Sequence, residues 1–129
     1  MDKLDKNSVI GISALLIHAA KVDENYSDQE KELVKRFIDS YLKKEDTIEI
    51  LKKAEDIENN SNQLLNYTNI IKQNSMEIKK DIIEHLWKIL ISDNVVDQYE
   101  SNLMRRICGL IYFPDKECGE IKLKLLNSK

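Results

Sequence analysis

Apolar residues recur along this chain at three- and four-residue spacing, the period of a helix with one buried face. Val9, Ile12, Leu15, Leu16, Ala19 and Ala20 mark the first such face, with Asn7 or Ser8 as its cap. Leu33, Val34, Phe37, Ile38 and Tyr41 mark a second, opened by Ser27 with Glu30 three residues on, a capping-box pattern. Lys43 and Lys44 suit its last turn, where cations meet the negative end of the helix dipole. Asp46 with Glu49 opens a short third helix through Ile48, Leu51 and Ala54, and Asn59-Asn60-Ser61-Asn62 breaks the chain. A fourth helix carries Leu64, Leu65, Tyr67, Ile70 and Ile71. Asn74 with Glu77 begins the fifth, through Ile78, Ile82, Leu86, Trp87, Ile89 and Leu90. Asp97 with Glu100 begins the sixth, through Leu103, Met104, Ile107, Cys108, Leu110 and Ile111. Pro114 stands as the first residue of a last helix that packs through Cys118, Ile121 and Leu125. No segment alternates with period two for long enough to be a strand. The pattern predicts an all-α, compact bundle of about seven helices.

The pattern also repeats. Laying 14–38 over 84–108 without a gap pairs Leu16 with Leu86, Asp23 with Asp93, Glu30 with Glu100, Leu33 with Leu103 and Arg36 with Arg106. These identities include two carboxylates of an acidic segment flanked by apolar-periodic stretches in each copy. We read an internal duplication of a helix–acidic loop–helix unit.

Composition narrows the function classes. A chain of 129 residues is read as a single domain, 1–129, with an ordered core of about 8–127. Its net charge of −3, with both signs interspersed, argues against nucleic-acid binding, which calls for a basic excess or stripe. Cys108 and Cys118 are too few for a disulfide framework and lie in apolar-periodic segments, so buried, reduced thiols are expected. With neither a signal-peptide pattern nor an apolar run of membrane-spanning length, the chain reads as cytoplasmic, with no transmembrane segment. No nucleophile–base pair, phosphate-cradling glycine loop or Cys/His metal spacing occurs, so the residues give no footing to an enzyme.

The acidic segments hold the candidate chemistry. A turn of this length can fold Asp23 towards Glu30 and Asp93 towards Glu100, and a pseudo-twofold packing of the halves would bring up to four carboxylates together. Carboxylates that close resist ionising together unless a cation or oriented N–H groups stabilise them. Oxygen-only ligands favour Ca²⁺, Mg²⁺ or Mn²⁺. The competing reading is structural: Glu30 and Glu100 as capping-box glutamates, Asp23 and Asp93 as Asx-turns, each cap contributing about 1 kcal/mol. A calcium EF-hand fails on spacing. Counted from Asp23, position 6 is Asp28 and position 12 is Val34; from Asp93, position 12 is Met104. His18 and His85 are read as surface or helix-boundary residues rather than ligands, and Trp87 as core. Arg36 and Arg106 are either partners for carboxylates across the pseudo-twofold or solvated helix charges.

The stretches Ala19-Ala20-Lys21-Val22-Asp23 through Glu30 and Leu90-Ile91-Ser92-Asp93 through Glu100 resemble the repeated signature of the TerB-like family. That signature is Ala-x-x-Asp-Gly with a hydrophobic residue three after the Asp and a Glu seven after it. The family includes tellurite-resistance TerB proteins and a domain of the co-chaperone DjlA. The resemblance spans roughly residues 8–127, and the glycine of each copy is replaced, by Glu24 and by Asn94. It implies a compact all-α domain without catalytic activity and with a metal-binding acidic face at Asp23, Glu30, Asp93 and Glu100. The functional expectation is a stress-response or binding module with protein partners. The alternative is a protein–protein adaptor, or chaperone-linked accessory, whose acidic loops are purely structural.

Overall fold

The computed structural model describes residues 4–21, 27–60, 64–91 and 98–127, the side chains of 64–66 and 98–100 excepted. Every regular element among the described residues is helical: α1 (Lys6–Ala20), α2 (Asp28–Tyr41), a 3₁₀ turn (Lys44–Asp46), α3 (Thr47–Asn60), α4 (Leu64–Lys72), α5 (Met76–Ile91), α6 (Gln98–Leu110) and α7 (Asp115–Asn127). The all-α expectation holds.

The molecule is built around α1. Every residue from Val9 to Ile17 is buried, as are Ala19 and Ala20. A helix with one buried face was expected here, yet α1 is enclosed by α2, α3, α4 and α5. The residues off the expected face are Ile10, Gly11, Ser13, Ala14 and Ile17, all apolar or small, so nothing holds that side in water. Gly11 marks a close approach, because a Cβ there would overlap Ile70 Cδ1 of α4. α5 packs against α1, α2, α4 and α7, while α6 lies mainly against α4 and α7. The expected inward positions of α5 are all buried, Trp87 among them.

Helix ends are set by short polar side chains, not always the ones expected. Asp5, rather than Asn7 or Ser8, caps α1: the Ser8 N–H donates to Asp5 Oδ1 at 2.7 Å. That bond holds the Asp5 carboxyl below the usual aspartate range. The last turn of α2 contains no basic residue, since Lys43 and Lys44 fall beyond its end at Tyr41. α3 is not short, with 14 residues, and the Thr47 hydroxyl donates to Asp39 Oδ1 at its start. Ile48, expected to face inward, is 63% exposed; the buried stripe runs through Thr47, Ile50, Leu51, Ala54 and Glu58. Asn74 closes α4 rather than opening α5, its Nδ2 donating to the Ile70 carbonyl at 2.8 Å. Ser75 caps α5 instead, accepting from the Ile78 N–H at 3.3 Å. Pro114 stands one residue before α7 and accepts from the Cys118 N–H at 3.1 Å.

α6 ends in a left-handed turn. The Phe113 N–H donates to the Cys108 carbonyl at 2.8 Å and the Tyr112 N–H to the Gly109 carbonyl at 3.4 Å, the paired bonds of a Schellman cap. Tyr112 takes the position usually given to glycine, with φ of 60°.

Candidate functional site

Of the four carboxylates singled out from the sequence, Glu30 is fully described. Asp23 and Asp93 lie outside the described residues, and Glu100 is placed by backbone alone, in the first turn of α6. Which of the four meet one another therefore lies beyond the description.

Glu30 is built as expected. It is the third residue of α2, where its Oε1 accepts the Ser27 N–H at 2.9 Å while its own N–H donates to Ser27 Oγ at 3.1 Å. Both halves of the capping box are present. Glu30 is buried, only 6% exposed, so α2 carries a carboxylate inward at its positive end.

The flanks of the first acidic segment are tied to a third helix. On the α1 side, Lys21 Nζ donates to Glu58 Oε1 at 2.7 Å and to Asn59 Oδ1 at 2.9 Å. His18 Nδ1 lies 3.4 Å from Glu58 Oε2, and its ring tilts against Tyr67. On the α2 side, Lys31 Nζ pairs with Glu55 Oε2 at 3.5 Å. The C-terminal half of α3 therefore holds both the exit of α1 and the entry of α2. Its carboxylates also neutralise the two lysines that flank the segment, which removes positive charge that would oppose a cation there.

Glu58 was missed by sequence reasoning. A signal was available, because Leu51, Ala54 and Glu58 continue one stripe at three- and four-residue spacing. A carboxylate on such a stripe is buried and needs a partner, which Lys21 supplies. His18 is half-buried and serves α3. His85 sits similarly, its Nδ1 2.8 Å from the Asp81 carbonyl and its ring edge-on to Phe37. Tyr41 extends this second polar cluster, its hydroxyl donating to Asp81 Oδ2 at 2.7 Å. Arg36 and Arg106 are exposed and form no ion pair with a described residue.

The architecture is that of an all-α bundle around a buried first helix, with a capped acidic junction between its first two helices. A family model described as "Tellurite resistance protein TerB" matches residues 10–123, most of the chain. This chain belongs to the TerB family. No curated protein and no solved structure matches it. Among the described residues, no helix is long and apolar enough to cross a membrane.

Proposed function

We propose that this chain is a non-catalytic binding module of the cytoplasm, serving a stress response, whose acidic junctions bind a divalent cation through Asp23, Glu30, Asp93 and Glu100. The observation that carries the reading is Glu30, a buried carboxylate fixed at a helix N-terminus beside an acidic segment. Its cap holds one carboxylate oxygen on the Ser27 N–H and so fixes the side chain in place. Burial of that charge is more favourable with a cation nearby than without one. Ca²⁺, Mg²⁺ and Mn²⁺ are the candidates, since the ligand set is oxygen alone.

The completed capping box favours a second reading, in which the acidic residues serve only the helix ends and the chain acts as an adaptor for a protein partner. Thermal unfolding of metal-stripped protein separates the two. A cation at about 100 times its Kd adds about 2.7 kcal/mol to stability. We expect a cation-specific rise in Tm that the Asp23→Asn/Asp93→Asn double variant abolishes. Glu30→Gln sharpens the comparison, because glutamine also serves a capping box but carries no charge. If no cation raises Tm, and Glu30→Gln melts like the parent chain, the loops are capping structure and the adaptor reading stands.

A further inference from the structure

A second chemical feature lies away from the acidic junctions, where α6 and α7 meet. Cys108 of α6 and Cys118 of α7 are both buried and free. They lie ten residues apart across the tight turn whose Phe113 N–H is bonded to the Cys108 carbonyl. The two positions differ in access. Cys108 is wholly enclosed, whereas Cys118 lines a surface pocket of about 170 Å³ together with Trp87, Arg105, Asp115 and Lys122. Trp87 Nε1 donates to the Cys118 carbonyl at 3.1 Å, and Lys122 Nζ stands 5.3 Å from the centre of the Trp87 ring. The pocket wall thus brings two cations, Arg105 and Lys122, against one carboxylate, Asp115. Among the described residues, no group of three metal-ligating side chains forms, so this thiol pair has no described third ligand.

We propose that Cys108 and Cys118 are a reversible two-electron thiol pair, in which Cys118 is oxidised by hydrogen peroxide entering this pocket and Cys108 closes a disulfide between α6 and α7. In the first step the Cys118 thiolate attacks one peroxide oxygen. An S–O bond forms, the O–O bond breaks, and hydroxide leaves to be protonated to water. Cys118 becomes a sulfenic acid, its sulfur oxidised by two electrons. In the second step Cys108 attacks that sulfur. The S–S bond forms, the S–O bond breaks, and the Cys108 proton leaves with the hydroxyl as a second water.

Access assigns the order, since Cys118 lines the pocket whereas Cys108 is wholly enclosed, and the electrostatics agree. The hydrogen-bonding interaction with Cys108 lowers the Cys118 thiol, helped by the Trp87 N–H and Lys122 and opposed by burial and Asp115. The same interaction, seen from Cys108, raises that thiol, and burial raises it further. Cys118, which lines the pocket, is therefore the thiol that meets the oxidant.

The test treats the reduced full chain with a small excess of hydrogen peroxide and follows intact mass and free thiols. We expect a mass loss of about 2 Da with both thiols consumed, reversed by dithiothreitol. Fluorescence of Trp87, the single tryptophan, should change in step. Cys108→Ser should stop at a sulfenic acid on Cys118 that dimedone traps. Cys118→Ser should slow oxidation of Cys108 by about tenfold or more. Circular dichroism confirms that both variants are folded. The proposal is overturned if Cys118 gains oxygens while Cys108 stays reduced, if disulfides form only between chains, or if Cys108 reacts as fast without Cys118. It is equally overturned if the folded chain resists peroxide that oxidises the urea-unfolded chain.

Discussion

The Lys21–Glu58 pair joins the exit of α1 to α3 and offers a quantitative check on how the first junction is held. Glu58 has a side chain only 6% exposed, while that of Lys21 is 34% exposed, and the charged atoms are 2.7 Å apart. At an effective dielectric of about 20 the bare attraction at this distance is about 6 kcal/mol, most of it offset by desolvation of the carboxylate. Breaking a fully buried pair costs about 3–5 kcal/mol, and breaking an exposed one about 0–1 kcal/mol. With one partner buried and the other a third exposed, removal of the Glu58 charge should cost about 2 kcal/mol. Glu58→Gln isolates this effect, because it keeps the side-chain volume.

Urea unfolding of the parent chain, Glu58→Gln, Lys21→Met and the double variant would give the coupling directly, with about 1–2 kcal/mol expected. The m-value should not change, since the surface exposed on unfolding is the same. In thermal melts the Glu58→Gln loss should appear as a fall in Tm of about 4 °C per kcal/mol for a chain of this size. A Glu58→Gln variant within about 0.5 kcal/mol of the parent, or a coupling near zero, would refute the reasoning. The charged pair would then contribute little, and the link from α1 to α3 would rest on core packing and the Lys21–Asn59 hydrogen bond.

Two other positions have definite expectations. Tyr112→Gly should stabilise the chain by about 0.5 kcal/mol in urea unfolding, because relief of a left-handed tyrosine, about 1 kcal/mol, outweighs loss of the exposed cation–π contact from Lys72; a less stable variant would show that the ring carries more than its exposure implies. Asp5 has a folded-state pKa lowered by the Ser8 N–H, so its contribution is present above the unfolded-state value and is lost as pH falls through the folded value. Asp5→Asn should therefore flatten the dependence of stability on pH below about pH 4, and an unchanged acid limb would overturn that assignment.

How far the sequence carried depends on which residues are considered. Helical periodicity placed every helix, because apolar spacing is imposed by the core itself. Ser27 and Glu30 were legible for the same kind of reason, as a capping box is a local event three residues long. Boundaries failed where a neighbour decided them: Asp5 outcompeted Asn7 and Ser8, and Thr47 turned towards Asp39 on the preceding helix. The enclosure of α1 failed more deeply. Its six expected apolar positions satisfy a one-sided reading, and only four surrounding helices reveal that Ile10 and Ile17 are buried too. Glu58 needed its partner in space, 37 residues away on another helix, before its burial made sense.

That partner changes what the acidic junction must do. α1 and α2 pack directly on each other, and both pack on α3. Lys21–Glu58 and Lys31–Glu55 add a link at each flank, and the Ser27–Glu30 box adds about 1 kcal/mol at the start of α2. The junction is therefore held from outside, by a helix that the acidic segment does not contain. The sequence adds further negative charge between the two helices, at Asp23, Glu24 and Asp28. In the proposed function a cation would offset that charge, and the α3 carboxylates already pair with the flanking lysines, Lys21 and Lys31. For the cation binding proposed above, a scaffold that fixes Glu30 independently of any ion would make binding inexpensive in conformational entropy, since the carboxylate is already ordered.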